Sequence, residues 1–589
     1  MRGLNRNVVY FILPLGLAQG QESYDYIIAG GGTSGLVVAN RLSADPSIRV
    51  LVIEAGRDER TNPNVTSVSG FLSAFNTSID WAYNVVPQQS LYGRDMQYHS
   101  GRALGGTSTI NGMTFLRGDA PEVDAWEALG NPGWNWDALW PHYTGVENFT
   151  VPTAAQIAAG VSWTPEFHGE QGELTTGCPY SLLNGSFHEA WGATWANWGL
   201  PHNEDMNGGD IRGYSVWPST LDRDANVRED AARAFLHPVE ARPNLKVIQG
   251  TVRRVLWKKG ASGCEAIEAE GVEYLSASGE TLTLSANKEV ILSAGSLRSP
   301  LILELSGVGH PSYLKKLGIE TKVDLPGVGE NMIEQPLGAI GYSANLTLPA
   351  GAATPFGAFI NAQDMFGDET ASLAASTKAS LADWAAQISA ANGGVVGAAA
   401  LEKVFAVQHD LIFGKNVTIG EILTYLSEGA IGNVGWPLLP FSRGSVHLKS
   451  TEAIDDPVID PKYLLADFDV KMMTGLGRVA RSFFGQKPMS DIVIEFISPG
   501  DAILPPDASD AQWEAALRAS AGPNHHALGT AAMMSRELGG VVDPKLKVYG
   551  TSNVRVVDAS VIPLQISGHL TATLYALADR ASGIILGTV

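Results

Sequence analysis

A short stretch near the N-terminus, residues 24–54, leaves the fewest folds open to this chain. Residues 24–29 (YDYIIA) form an apolar run of the length of a buried strand. The run enters Gly30-Gly31-Gly32-Thr33-Ser34-Gly35, a GxGxxG pattern, and a helix-compatible stretch (GLVVANRL, residues 35–42) follows. A second apolar strand, residues 49–53 (RVLVI), is closed by Glu54, nineteen residues after the last glycine. With 65 glycines in 589 residues the bare pattern arises about once by chance, so the context carries the inference. Strand, glycine turn, helix, strand and acid form the βαβ unit that seats a pyrophosphate at a helix N-terminus. The acid then takes the ribose hydroxyls of an adenine dinucleotide. Gly30, Gly32, Thr33, Ser34, Gly35 and Glu54 are therefore the expected contacts. The spacing does not separate FAD from NAD. A single copy at the start of so long a chain, with no clear second copy, favours FAD held by the whole fold.

Composition narrows the class further. A chain with 45% hydrophobic and 17% charged residues is not disordered, and 589 residues imply two to four domains or sub-domains. The net charge of −21 repels phosphate backbones, which argues against a nucleic-acid partner. Two cysteines exclude a disulfide scaffold and any four-thiolate metal site. No GxSxG elbow or HExxH motif points to a hydrolase or a metalloprotease, and no metal is expected.

The first twenty residues read as a secretion signal. Arg2 and Arg6 flank the start of an apolar run, residues 8–18, with Ala18 and Gly20 at cleavage positions. Six N-x-S/T acceptors, at Asn64, Asn76, Asn148, Asn184, Asn345 and Asn416, agree with export and N-glycosylation. No later apolar stretch is long enough to cross a bilayer. The expected location is extracellular or within the secretory pathway, with no membrane association. There Cys178 and Cys264 either pair or remain two buried thiols.

Two longer motifs go beyond the dinucleotide fingerprint. Residues 101–124 read GRALGGTSTINGMTFLRGDAPEVD and residues 295–309 read GSLRSPLILELSGVG. Near the C-terminus stand RVVDASVIP (555–563) and His526-Ala-Leu-Gly529-Thr530. In this order, over residues 24–585, the chain resembles the glucose–methanol–choline (GMC) family of FAD oxidoreductases, in its fungal secreted branch. The resemblance implies an α/β fold (α+β overall): a Rossmann-like FAD domain, discontinuous in sequence, and a substrate domain with a β-sheet and covering helices. The implied FAD domain takes residues 21–150, 225–330 and 520–589; the substrate domain takes 151–224 and 331–519; residues 1–20 are the signal. Independently of the name, Gly105-Gly106-Thr107-Ser108 and Asn111-Gly112 cluster backbone donors and hydroxyls of the kind a flavin and its diphosphate need. By resemblance, Ala55, Gly106, Asn111, Gly112, Met113, Val252, Asp558 and Ala559 join the cofactor contacts. Family members that bind FAD covalently use a histidine in the glycine-rich motif; Thr109-Ile110 occupies that neighbourhood, which implies dissociable FAD.

Among twelve histidines, His526 and His569 stand in matching positions. Alcohol oxidation needs a base near neutrality to accept the hydroxyl proton, and histidine suits that by its ordinary pKa. The resemblance makes His526 that base and His569 its partner, which positions the hydroxyl. His569, just before an apolar helix (residues 571–585), would also favour negative charge on reduced flavin. Two departures stand out. Residues 325–336 end in Glu334-Gln335-Pro336 where Asp-His-Pro is common, read as a change at a domain interface that leaves catalysis untouched. His525 replaces a frequent aromatic before the base and is either a third polar group or a packing residue.

The intervening segments are less informative. An Ala/Gly-rich stretch near residues 351–400 reads as a lid, a helical cover or a linker, and Trp81, Tyr92, Phe413 and Trp436 are candidate pocket aromatics. The implied reaction is FAD-dependent oxidation of an alcohol to a carbonyl, with O2 or a quinone as acceptor. An aromatic, heterocyclic or allylic alcohol is slightly favoured, as in secondary-metabolite oxidases of the patulin synthase type. A sugar oxidase or dehydrogenase, a non-redox flavin lyase and a binding protein without chemistry are the alternatives.

Overall fold

Strand Ser23–Ala29 lies between strand Val50–Glu54 and the C-terminal half of strand Thr281–Leu292, parallel to both. Strand Val50–Glu54, central in the sheet, is buried at every position, as a run of Val, Leu and Ile requires. Strand Leu245–Trp257 adds beside Val50–Glu54, and strand Val554–Val556 adds beyond Thr281–Leu292. The two long strands run past the parallel sheet, and Ala269–Ser276 pairs antiparallel with both, so one six-stranded sheet collects residues 23 to 556. This computed structural model describes residues 23–589 except 69, 180–185, 260–265, 347–355 and 453. The expected signal segment, the Asn184 acceptor and Cys264 lie outside the described residues. Cys178 is a free, buried thiol, pushed up to about 12 by burial.

The expected helix after the glycine turn spans Thr33–Leu42, with Gly32 as its N-cap residue. Helix Leu570–Leu586 packs against it and begins one residue after His569. Helix Ser299–Leu305 forms where the second long motif predicts one.

A second sheet of seven strands is antiparallel throughout. Its order is Val493–Ser498, Pro336–Ala344, Ala430–Pro437, Thr418–Ser427, Phe356–Asn361 and Gly213–Val216, with Gly522–Pro523 added beside Pro336–Ala344. Pro336 pairs with Pro523 and Leu337 with Gly522, which brings residues 335 and 524–526 together across nearly two hundred positions. The Ala-rich stretch forms helices Thr370–Ala391 and Ala398–His409. Leu381, Trp384, Ile388, Leu401 and Phe405 of this hairpin pack with Phe441 and Phe468. Among its described residues none lines the main cavity; the hairpin packs as a helical cover over this core.

Candidate active site

One cavity of about 940 Å³ is lined at once by the glycine turn, Glu54 and both C-terminal histidines. Gly30, Gly32, Thr33, Ser34, Glu54, Ala55, Gly106, Asn111, Gly112, Met113, Val252, Asp558, Ala559, His526 and His569 all line it. Gly35 does not. A Cβ there would sit 2.1 Å from the Gly30 carbonyl oxygen, so this glycine serves the close packing of helix on strand.

The cavity wall fits an adenine dinucleotide residue by residue. A Cβ on Gly106, whose φ is +56°, would lie 2.7 Å from Gly32 Cα, so this turn meets the first only as a glycine. One Glu54 oxygen accepts the Gly31 N–H (2.8 Å) and the other the Gly56 N–H (2.7 Å). Burial pushes this carboxyl up and the N–H donors pull it back, leaving lone pairs on a cavity-lining group for ribose hydroxyls. Asn111 ties the second glycine motif to the last helix: its Nδ2 donates to Thr571 Oγ1 (3.3 Å) and its Oδ1 accepts from Met113 N (3.0 Å) and Arg228 (2.6 Å). Asp558 also ties elements of the wall together. Its carboxylate accepts from Gly295 N (2.9 Å), Ser299 Oγ (2.6 Å) and Ser560 N (2.9 Å), which locks the two later motifs together.

His526 and His569 face each other at 5.2 Å between ring centroids, inclined at 79°. Gln335 sets the state of the first. Its Nε2 donates to the Leu438 carbonyl (3.1 Å), which turns Oε1 toward His526 Nδ1 at 2.8 Å. Gln335 Oε1 can only accept, so Nδ1 carries the proton and donates to it, and Nε2 keeps its lone pair; the Asn524 amide nitrogen, 3.0 Å from the same Nδ1, then finds no acceptor there. The Asn524 amide donates to the same Gln335 oxygen (3.2 Å). Burial, with His569 and His525 close by, holds the His526 imidazole well below its ordinary pKa, so the ring is neutral and ready to accept a proton. His569 is the N-cap residue of the last helix, and its Nε2 lies 2.9 Å from Glu421 Oε1, a fully buried carboxylate. The reading of residues 334–336 as remote from catalysis is corrected: the sheet pairing at Pro336 delivers Gln335 directly to the histidine.

One side of the surrounding wall is apolar. Trp436 lies edge-on to His526 (6.3 Å) and His569 (5.8 Å), and Trp217 lies 6.2 Å from His569. Glu421 pairs with Trp436 and Leu423 with Val434 across neighbouring strands, so alternation puts all four on one face of the sheet. Trp81 also lines the cavity, whereas Tyr92 is exposed and Phe413 packs in the helical cover. Among the described residues no group of three His, Cys, Asp or Glu could hold a metal ion.

With this geometry the comparisons are decisive. The profile of GMC oxidoreductases matches residues 24–337, and its C-terminal counterpart matches residues 440–578. The chain belongs to the GMC oxidoreductase family. It is 49% identical to the glucose oxidase-like protein fsoC of Humicola fuscoatra over 96% of each chain. It is 36% identical to the glucose oxidase of Penicillium chrysogenum, covering 96% of this chain and 92% of that one. An FAD-dependent oxidoreductase from Chaetomium thermophilum superposes with a TM-score of 0.87 at 31% identity, covering 96% of this chain and 99% of that one. A fungal aryl-alcohol oxidase superposes at 0.83 and 27% identity, with the same coverage of 96% and 99%. FAD is the cofactor of this family, and the cavity fits it.

Sequence reasoning named both histidines and most of the glycine-rich wall. It missed Glu421 and the role of Gln335. Neither carries a local signal: Glu421 sits inside an ordinary strand, and Gln335 acquires its partner only through pairing with residues 522–523.

Proposed function

We propose that the protein oxidises an aromatic or otherwise apolar alcohol to its carbonyl compound, with His526 as the base. The observation that carries the reading is the lone pair of a neutral His526 Nε2, left free by the Gln335 contact beside a wall of Trp217, Trp436, Leu423 and Val434. The glycine turns, Glu54 and Asn111 would hold FAD, which would supply the two-electron acceptor for hydride from the alcohol carbon. His526 Nε2 accepts the hydroxyl proton, and Nδ1–H stays on Gln335. His569, steadied by Glu421, orients the hydroxyl from the other side. The tryptophan wall excludes water and receives the substrate's ring. The oxidases among the relatives favour O2 as acceptor, and the absence of a histidine at Thr109-Ile110 favours non-covalent FAD.

In this reading residues 21–150, 225–330 and 520–589 hold the cofactor, and 151–224 with 331–519 form the substrate side. Export with N-glycosylation is part of the same proposal; Asn76, Asn148, Asn345 and Asn416 are exposed and Asn64 is half-buried. The relatives named glucose oxidase favour a sugar as the second reading. The apolar face at the histidines weighs against it, because a sugar calls for several polar contacts. An anaerobic absorbance titration separates them. Benzyl-type alcohols are expected to bleach the flavin bands and glucose to leave them; bleaching by glucose alone would overturn the substrate assignment, and yellow protein bleached by no alcohol would overturn the oxidation itself.

A further inference from the structure

The wall beside the proton-accepting pair carries a third imidazole. His525 holds a left-handed backbone, φ +65°, which a residue with a Cβ adopts only where its surroundings impose it. Its ring is collared edge-on by Tyr98 (5.1 Å), His99 (5.1 Å) and Phe75 (5.8 Å). Nδ1 accepts the backbone N–H of His99 at 3.2 Å. A ring nitrogen that accepts carries no proton, so the proton of the neutral imidazole is on Nε2. Nε2 has no protein partner among the described residues, and His525 lines the cavity. Burial and the neighbouring His99 push the ring down to about 4, which keeps it a neutral donor near neutrality. The platform is itself fixed. His99 Nδ1 lies 2.6 Å from Asp80 Oδ2, and Asp80 accepts the N–H groups of Asn76, Ala82 and Ser100.

We infer that His525 determines specificity by donating its Nε2–H to a hydrogen-bond acceptor on the substrate, which makes the substrate class ring alcohols bearing a ring nitrogen, ring oxygen or carbonyl. Phe75, Tyr98 and His99 line the cavity beside His525, and a single N–H presented there selects for a matching acceptor. A buried donor left unpaired costs more than the bond is worth when made, so an alcohol without the acceptor is penalised. The inference rests on the alcohol-oxidation reading and sharpens it.

The test compares pyridinylmethanols and furan-2-ylmethanol with benzyl alcohol in the FAD-loaded protein. The kcat/KM ratio of the best acceptor-bearing alcohol to benzyl alcohol is expected to be about ten in the wild type. It falls to about one in His525→Phe, which keeps a ring and loses the donor. His525→Asn, which tolerates left-handed backbone and keeps an N–H, retains part of the preference. Binding of the matching aldehydes, read from the shift of the flavin bands, repeats the comparison without turnover. Should no alcohol be oxidised while the aldehydes still discriminate, the oxidation reading fails and the His525 inference stands. A ratio near one in the wild type, or the same ratio in wild type and His525→Phe, overturns the inference even if oxidation proceeds, and the wild-type ratio needs no variant to fold.

Discussion

At the scale of single residues, the site works through which nitrogen holds a proton. The Leu438 carbonyl fixes the Gln335 amide, the amide fixes His526 Nδ1–H, and the free Nε2 follows. Because burial holds His526 well below the ordinary histidine range, the proposed base is deprotonated at neutral pH. The acid limb of kcat/KM therefore lies below pH ~6.5, the unperturbed value. Gln335→Glu places a carboxylate against Nδ1, stabilises the imidazolium and raises its pKa. The base acts only when deprotonated, so the acid limb moves to higher pH, by roughly one to three units. A pH profile of kcat/KM measures it, and a limb that stays in place contradicts the chain of contacts from Leu438 to His526. His569 draws on a different device, the buried Glu421 carboxylate at 2.9 Å.

At the scale of elements, the two glycine turns and the helix they open make the cradle. Gly35→Ala would push a methyl to 2.1 Å from the Gly30 carbonyl, in backbone that cannot swing aside. The expected loss is about 1–3 kcal/mol of stability, as for an overpacked core, with protein purified short of FAD. A melting curve and the ratio of flavin to protein absorbance report it; wild-type values in both would show that Gly35 packs more loosely than its neighbours imply. Elements of this kind are legible in sequence because their signals are local. The strand, turn, helix and acid of residues 24–54 follow one another directly, and the helices after Arg298 and His569 are apolar runs with clear starts. The antiparallel sheet is not legible in the same way. Which strand lies beside Pro336–Ala344 depends on side-chain fit between segments 80 to 190 residues apart, and no local pattern records it. Gln335, Glu421 and the collar around His525 all depend on such pairings, so the sequence alone misplaces the first, passes over the second and leaves the third open.

At the scale of the whole molecule, both sheets contribute to one cavity. The parallel sheet brings the glycine turn and Glu54, the antiparallel sheet brings Leu423, Val434 and Trp436, and the segment carrying His526 lies between them. His447 ties a further, four-stranded sheet to helix Ser299–Leu305. From the short strand Ser445–His447 it reaches Glu304 (2.7 Å) and Glu330 (3.1 Å), and these carboxylates lift its pKa to about 9. The Gln335 contact holds His526, the proposed base, in one orientation. The most direct test of that role is the rate of anaerobic flavin reduction by a benzyl-type alcohol at pH ~7 in wild type and in His526→Ala, each with full FAD content. The reduction rate is expected to be lower by roughly 10²–10⁴-fold in the variant, the usual contribution of a positioned base. A rate within tenfold of the wild type would contradict it and assign the proton to another group.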